Sequence, residues 1–325
     1  MSNRPLIIVM GEPYSIFPEI FFKAFKKLKK INIKFPILLI GSYKLIDRQM
    51  KFFKYKFKIN KVTLSNYSKI NNNRINILDV HLNFKKIFAE DCENSSSYIN
   101  NCFDIALHIL KKNKALGLIN GPISKSKFLN KKFLGVTEYF GHKTKSNNIS
   151  MLIYNKELSV SPITTHLPIK KVAKNISKIK IEKKIKLVNK FFSNILKQKF
   201  NGAVLGLNPH CESNDKKSEE EKIIIPAIQN LKKKKIKISG PFSADTFFIK
   251  KNLKKYNIVF GMYHDQVLTP IKTLYNFDAV NLTIGLPFIR LSPDHGPNEK
   301  MVSKNLSDPL SLIKSIEFFK KFNAK

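Results

Sequence analysis

The sequence predicts an α/β fold with mostly parallel sheets, and three observations support that class. Short apolar runs of strand length alternate with longer amphipathic segments along the 325 residues. Hydrophobic residues make up 43% of the chain, which is ordinary for a globular protein. Polar turns follow several apolar runs, as at Asn120-Gly121-Pro122. In such a fold, functional residues belong at the carboxyl ends of strands.

The predicted elements follow one another in a regular order. Apolar runs predict strands at 6–10, 36–40, 75–78, 115–119, 150–154, 203–207, 258–262 and 279–282. Amphipathic patterns predict helices at 18–30, 97–112, 179–197, 219–234 and 310–322. The Lys/Asn-rich stretches 54–74 and 214–218 are predicted to be surface loops. No internal repeat interrupts this order.

The formal net charge of +36 raises the possibility of a nucleic-acid partner. However, only four of the 59 basic residues are arginine, the residue that base and phosphate readers favour for its bidentate fork. Lysine instead occurs along nearly every predicted helix, as expected for solvated faces. The composition therefore argues against specific nucleic-acid binding.

Cysteine content and hydropathy indicate a cytoplasmic protein without a membrane span. The three cysteines, Cys92, Cys102 and Cys211, are odd in number and show no pattern, which suits a reducing compartment. No segment reaches the roughly 20 apolar residues that a spanning helix requires. The apolar run at 6–10 is too short for a signal-peptide core.

Three histidines follow short apolar runs: His166, His210 and His264. Three imidazoles at strand ends would supply a divalent-metal site with one position left open for substrate. A single histidine after a strand is more often a hydrogen-bonded core or surface residue. The close-spaced motifs HExxH and CxxC are absent, so spacing alone leaves both interpretations open.

Nine segments, in order and across nearly the whole chain, resemble the 4-hydroxythreonine-4-phosphate dehydrogenase family of pyridoxal phosphate biosynthesis. They are 11–13 with 18–20, 120–123 with Lys125, 137–138, 164–168, 206–210, 240–241 with 244–246, 262–266, 281–290 and 292–296. The resemblance implies a two-lobed fold like the isocitrate and isopropylmalate dehydrogenases, with mostly parallel sheets and a central cleft. It implies one lobe of residues 1–130 and 275–325. The second lobe, 131–274, would carry the metal histidines and the contacts of a homodimer with a shared active site.

The resemblance also implies that His166, His210 and His264 bind one divalent ion, which could be zinc, magnesium or cobalt. Asp245 and Asp265 lie beside these histidines in sequence. Either carboxylate could orient a liganding imidazole or cap a helix.

The family's substrate-contacting positions are matched at Thr137, Lys272, Asn281 and Arg290. A substrate-binding role for Arg290 is also indicated by its sequence context. An arginine kept within an apolar segment, in a chain that otherwise uses lysine, suggests a bidentate contact with an anion. Lys272, among so many lysines, would without the resemblance be assigned to a solvated face.

The implied reaction is the oxidation of 4-phosphooxy-L-threonine to a 3-oxo acid, which decarboxylates to 3-amino-2-oxopropyl phosphate. The implied cofactor is NAD or NADP, for which Gly121, Asn208 and Asp294 are the candidate binding residues. The chain has no GxGxxG, so a dinucleotide would not bind through the usual Rossmann turn.

The chain departs from the family pattern at three places. Val136 occupies a position where the family has a substrate-contacting histidine, and His142 is a possible but disfavoured substitute. The segments 14–17 and 211–215 replace glycine-rich loops. A second hypothesis is therefore a paralogue that oxidises 4-phospho-threonate or 4-phospho-erythronate. A metal-dependent hydrolase would explain only the histidines, and a basic binding protein only the charge.

Overall fold

The structure is a computed structural model that describes residues 4–28, 30–31, 33–67, 70–88, 95–124, 128–129, 132–211, 217–276 and 278–322. Lys125 and the segment 212–216 lie outside the described residues. The chain forms two compact units, Met1–Val136 with Pro287–Lys325, and Thr137–Leu286. Among the described residues, no helix is both long and apolar enough to span a membrane.

The strands of the described chain are numbered in sequence order. They are β1 Leu6–Val9, β2 Ile37–Gly41, β3 Ile59–Val62, β4 Ile75–Asp79, β5 Gly117–Asn120, β6 Ser150–Tyr154, β7 Ser159–Pro162, β8 Gly202–Leu205, β9 Ile238–Phe242, β10 Ile258–Gly261, β11 Val280–Ile284 and β12 Arg290–Ser292.

The α-helices are numbered in the same way. They are α1 Phe17–Leu28, α2 Tyr43–Phe52, α3 Ser95–Lys111, α4 Val136–Lys143, α5 Val172–Asn175, α6 Lys178–Phe191, α7 Ile225–Lys233, α8 Ala244–Phe247, α9 Lys250–Leu253, α10 His264–Tyr275 and α11 Leu310–Phe318. Single turns of other helical type extend four of them, at Ile169–Lys171, Phe192–Leu196, Glu220–Ile224 and Phe319–Phe322.

The first unit contains a parallel sheet in the order β3-β4-β2-β1-β5-β12. Its central strands β1, β2 and β5 are fully buried, as expected for parallel strands covered on both faces. A buried ion pair fixes α1: the Glu19 carboxylate, 1% exposed, accepts hydrogen bonds from Lys23 Nζ at 2.8 Å and from Ser307 N at 2.6 Å.

The second unit contains strands in the order β11-β6-β7-β10-β8-β9. Here β11, β6 and β7 pair antiparallel, while β7, β10, β8 and β9 run parallel. Apolar side chains of β7, β8 and β10 pack with α10 into one buried cluster. The four parallel strands therefore end at the same edge of this sheet.

The predicted α/β class with mostly parallel sheets is confirmed. The predicted lobe boundaries at 130/131 and 274/275 differ from the observed divisions after Val136 and after Leu286. The second unit extends further because β11 pairs with β6 through five residues, from Val280–Tyr154 to Ile284–Ser150. The predicted loop 54–74 was wrong in part, since it contains β3, an edge strand whose lysine and asparagine suit exposure.

Candidate metal and substrate site

Four candidate residues follow the four parallel strand ends of the second unit. His166 comes four residues after β7, His264 three after β10, His210 five after β8, and Asp245 three after β9. Since these strands are neighbours in the sheet, the turns that follow them emerge along one edge. The sheet therefore brings residues that are distant in sequence to the same side of the unit.

His166 and His264 lie next to each other, with ring centroids 5.7 Å apart. Both side chains are partly buried, with 26% of His166 and 31% of His264 exposed. The Nδ1 atom of His166 lies 4.0 Å from Glu138 Oε2. The other carboxylate oxygen of Glu138 accepts a hydrogen bond from Thr165 Oγ1 at 3.1 Å. Helix α4 thus supplies a carboxylate that faces the imidazole of His166.

The other two histidines also have a carboxylate at Nδ1. His264 Nδ1 is 2.6 Å from Asp265 Oδ1, and His210 Nδ1 is 3.5 Å from Asp245 Oδ2. A hydrogen bond from the Ser243 hydroxyl, then one from Thr246 N and the charge of His210, lower the pKa of Asp245. Asp245 is therefore ionised at neutral pH. With Nδ1 facing a carboxylate in all three cases, Nε2 is the ring nitrogen left to bind a ligand.

A buried carboxylate, Glu220, fixes the turn that precedes His210. Its Oε1 accepts hydrogen bonds from Leu207 N at 2.7 Å and Asn208 N at 2.9 Å, and its Oε2 accepts one from Asn208 Nδ2 at 2.8 Å. Burial alone would raise the pKa of Glu220, but these hydrogen bonds lower it. His210 itself has a left-handed backbone with φ of 58°, a conformation that costs energy in a non-glycine residue.

Gln266 joins the turns after β10 and β8. Its Oε1 accepts a hydrogen bond from Met262 N at 2.6 Å, and its Nε2 donates to the Gly206 carbonyl at 2.7 Å. Because Gln266 is in the first turn of α10, it holds the start of that helix, and hence His264, against the strand ends.

The described residues contain no group of three His, Cys, Asp or Glu side chains that is already gathered to hold a metal ion. The chemistry of the donors nevertheless fits such an ion. Three imidazoles with carboxylates near their Nδ1 atoms, one of them hydrogen-bonded at 2.6 Å in His264, are typical of sites for zinc and similar metals. The predicted ligands are thus present at one sheet edge as a close pair, His166 with His264, and a separate His210.

The predicted substrate contacts of the second unit lie on three elements. Thr137 is buried in α4, with Oγ1 3.2 Å from Thr283 Oγ1. Asn281 is in β11, opposite Ile153, and among the described residues its buried Oδ1 has no hydrogen-bond partner. Lys272 is exposed in the third turn of α10, eight residues after His264.

Val136, where the family pattern has histidine, is the first residue of α4 and is partly buried. His142, the possible substitute, is in the last turn of the same helix and is exposed. The two positions are six residues apart, which places them on different faces of the helix. Geometry on α4 therefore gives no support to His142 as a replacement.

The predicted substrate and cofactor contacts of the first unit are held in place by neighbouring residues. Arg290, in β12, is 2% exposed, and its Nε donates to Asn120 Oδ1 at 2.7 Å. This bond fixes one side of the guanidinium. Gly121 follows Asn120, and a Cβ there would collide with the Met10 carbonyl oxygen and the Phe17 ring. Asp294 donates its backbone N–H to Ser311 Oγ at 2.9 Å.

Two residues of this site were not predicted from the sequence. In the sequence, Glu138 belongs only to the motif 137–138, and Glu220 only to the predicted helix 219–234. Glu138 faces His166, which lies 28 residues later in the sequence, and Glu220 binds Asn208, which lies 12 residues earlier. One signal was available: acidic residues number 23 against 59 basic ones, so each buried acid in this chain invites a search for its partner.

Replacing Glu220 with alanine should destabilise the protein by about 2–3 kcal/mol, because the partly buried backbone donors of Leu207 and Asn208 lose a charged acceptor. Urea unfolding measures this, with the exposed neighbour Glu221→Ala as the control. Since the folded pKa of Glu220 is lowered, its contribution is complete above its unfolded pKa of about 4.3 and is lost as pH falls through the folded value. Equal unfolding midpoints for both variants would show that Glu220 does not fix the turn.

A family model and curated relatives both assign this chain to the same protein family. The family model described as pyridoxal phosphate biosynthetic protein PdxA matches residues 33–319. The chain is 37% identical over 319 residues to 4-hydroxythreonine-4-phosphate dehydrogenase of Sulfurihydrogenibium sp., covering 96% of each protein.

Solved structures agree with this family at the level of the fold. A putative 4-hydroxythreonine-4-phosphate dehydrogenase from Salmonella typhimurium is 27% identical with a TM-score of 0.83, over 98% of this chain and 99% of that one. Isocitrate dehydrogenase from Methylococcus capsulatus, 8% identical over 99% of this chain and 86% of that one, has a TM-score of 0.50. The predicted resemblance to the isocitrate dehydrogenase fold is thus confirmed. This chain belongs to the family of pyridoxal phosphate biosynthetic protein PdxA.

Proposed function

We propose that this protein is an NAD- and divalent-metal-dependent dehydrogenase that oxidises 4-phosphooxy-L-threonine. The product is a 3-oxo acid that decarboxylates to 3-amino-2-oxopropyl phosphate. The observation that carries the proposal is the set of three histidine–carboxylate pairs at one sheet edge. Relatives of the same family that cover 96% of the chain are named as 4-hydroxythreonine-4-phosphate dehydrogenases.

The metal would be held by His166, His210 and His264 through Nε2. Three imidazole donors favour zinc or cobalt over magnesium, which prefers oxygen ligands. When bound, a divalent ion would polarise the substrate hydroxyl and lower its pKa. Asp265 is hydrogen-bonded to Nδ1 of His264. Asp245 and Glu138 lie 3.5 Å and 4.0 Å from Nδ1 of His210 and His166, so Nε2 would be the ring nitrogen available to the metal in each case.

The chain's own polar groups fit a substrate with a phosphate, a carboxylate, an amine and a hydroxyl. Asn281 offers a buried oxygen that can accept a hydrogen bond from the amine or the hydroxyl. Arg290 offers a guanidinium, fixed by Asn120, for an anionic group. Thr137 and Lys272 are the remaining proposed contacts. The hydroxyl gives up a proton and its carbon gives up a hydride, for which NAD or NADP is the acceptor.

A homodimer in the cytoplasm is the proposed assembly, with a metal site to which both copies contribute. The support is the exposure of His210, whose side chain is 64% exposed although it is a proposed ligand. A second copy that covers this face would desolvate His210. Gly121, Asn208 and Asp294 remain proposed cofactor contacts; the side chain of Asn208 is already hydrogen-bonded to Glu219 and Glu220.

The purified protein, loaded with zinc or cobalt, should form NADH from NAD and 4-phosphooxy-L-threonine. Alanine at His166, His210 or His264 should abolish turnover and lower the bound metal while leaving the fold intact, because these side chains lie on turns beyond the strands. His108→Ala, at an exposed position in α3, is the control. Full metal occupancy in all three variants would refute the ligand assignment. NADH formation only from 4-phospho-threonate or 4-phospho-erythronate would establish the second hypothesis, that the protein is a paralogue for another substrate.

Val136→His should strengthen binding of 4-phosphooxy-L-threonine by about 1 kcal/mol, the gain from one added hydrogen bond. The position allows it, since Val136 is only partly buried at the start of α4, directly before Thr137. The Michaelis constant of the variant measures the gain, and Val136→Leu controls for size. If Val136 instead fits the shape of a different hydroxy-acid substrate, histidine at this position will lower activity on that substrate.

A further inference from the structure

Lys184 differs in its setting from the exposed lysines of this chain. It is in α6, and its Nζ atom lies 3.5 Å from the carbonyl oxygen of Pro162, the last residue of β7. The amine therefore sits at the sheet edge that also carries His166 and His264. It is a partly buried cation beside the proposed site, and none of the predicted functional residues accounts for it.

The hydrogen-bonding capacity of this amine is not used by its neighbours. An ammonium has three donors, and a contact of 3.5 Å is at the long limit for a hydrogen bond. Among the described residues, Lys184 makes no second hydrogen bond. Burial, and then the charge of Lys180, lower the pKa of its amine to about 8, against an upward pull from Glu138.

Glu138 does not neutralise Lys184 by itself. Its carboxylate already accepts a hydrogen bond from Thr165 and faces His166. Lys180, one turn before Lys184 in α6, adds a second positive charge whose pKa burial also lowers. The amine of Lys180 donates a hydrogen bond to the Asn175 carbonyl at 2.9 Å. At Lys184, burial and the charge of Lys180 oppose protonation and only Glu138 favours it, so an anion at the end of β7 would relieve both burial and repulsion.

We propose that Lys184 binds the phosphate group of the substrate, and so contributes to substrate specificity. The proposal rests on the proposed function only for the identity of the substrate. A phosphate with two negative charges matches the pair Lys180 and Lys184 better than a carboxylate with one. Thr137, a proposed substrate contact, directly precedes Glu138, so substrate is expected on this side of the unit.

Lys184 could instead act only through its charge on Glu138, and the experiments must distinguish this role from phosphate binding. In that case Lys184 would tune the interaction of Glu138 with His166 and would not contact phosphate. Such a positioning role would change metal affinity and leave phosphate binding intact. The two roles therefore differ in which ligand responds to loss of the amine.

The first experiment uses inorganic phosphate as the probe and thermal unfolding of the metal-loaded protein as the readout. A ligand that binds the folded state raises the melting temperature. Phosphate should stabilise the wild type and Lys183→Met, an exposed lysine of the same helix, equally. In Lys184→Met the phosphate-induced shift should fall by at least about half, with chloride at equal ionic strength as the reference.

Turnover gives the second readout. Lys184→Met should raise the Michaelis constant for 4-phosphooxy-L-threonine about tenfold, as expected for one charge-assisted contact, and leave that for NAD unchanged. The charged form binds phosphate, so wild-type affinity should decline as pH rises above about 8. Lys184→Arg, which stays charged at any such pH, should remove this decline.

An unchanged phosphate shift and Michaelis constant in Lys184→Met would overturn the proposal. Reduced metal affinity with an intact phosphate shift would also overturn it, in favour of the role through Glu138. A wild type that is stabilised by phosphate through Lys184, but does not turn over 4-phosphooxy-L-threonine, would refute the proposed function and support the phosphate contact. Lys184→Met is expected to fold, since it removes a partly buried charge and keeps an apolar stem.

Discussion

The parallel pairing of β7, β10, β8 and β9 is the constraint on which the proposed site depends. Parallel neighbours must end at one edge, and each of these strands is followed within five residues by a histidine or an aspartate. β7, β8 and β10 are buried along their whole length and β9 is partly buried at the sheet edge, so the register is set by the core and not by the site. The residues that carry chemistry can therefore occupy strained or exposed turns, as His210 does.

The distribution of acidic residues reinforces this arrangement. The chain has 23 Asp and Glu against 59 Lys and Arg. Three of these scarce acids face the Nδ1 atoms of the three histidines, and a fourth, Glu220, holds the turn before His210. In a protein of such positive charge, carboxylates at these positions keep local attraction for a cation. The same positive charge, at Lys184, provides for an anion on the same edge.

Much of the fold could be predicted from the sequence, because apolar runs and helical periodicity are local signals. Two of the elements that were not predicted break those rules for physical reasons. β9 contains Gly240-Pro241, which argues against a strand but is tolerated at a sheet edge. α10 contains Pro270, which argues against a helix.

The site could be predicted only in part, and for a different reason. The histidines were identified because short motifs surround them. The pairing of Glu138 with His166, and of Asp245 with His210, depends on which strands become neighbours. Spacing in the sequence carries no such information. Lys184 could not be distinguished from the other lysines, because only packing removes it from water and places it beside Pro162.

The proposed site requires that three imidazoles, each with a carboxylate near Nδ1, bind one metal ion through Nε2. A crystal structure of the zinc- or cobalt-loaded protein, with anomalous scattering recorded at the absorption edge of the metal, tests it most directly. We expect one anomalous peak per site at about 2.0–2.1 Å from Nε2 of His166, His210 and His264, with Glu138, Asp245 and Asp265 still near Nδ1. A peak bonded to Nδ1, or one that lies away from these histidines, would contradict it.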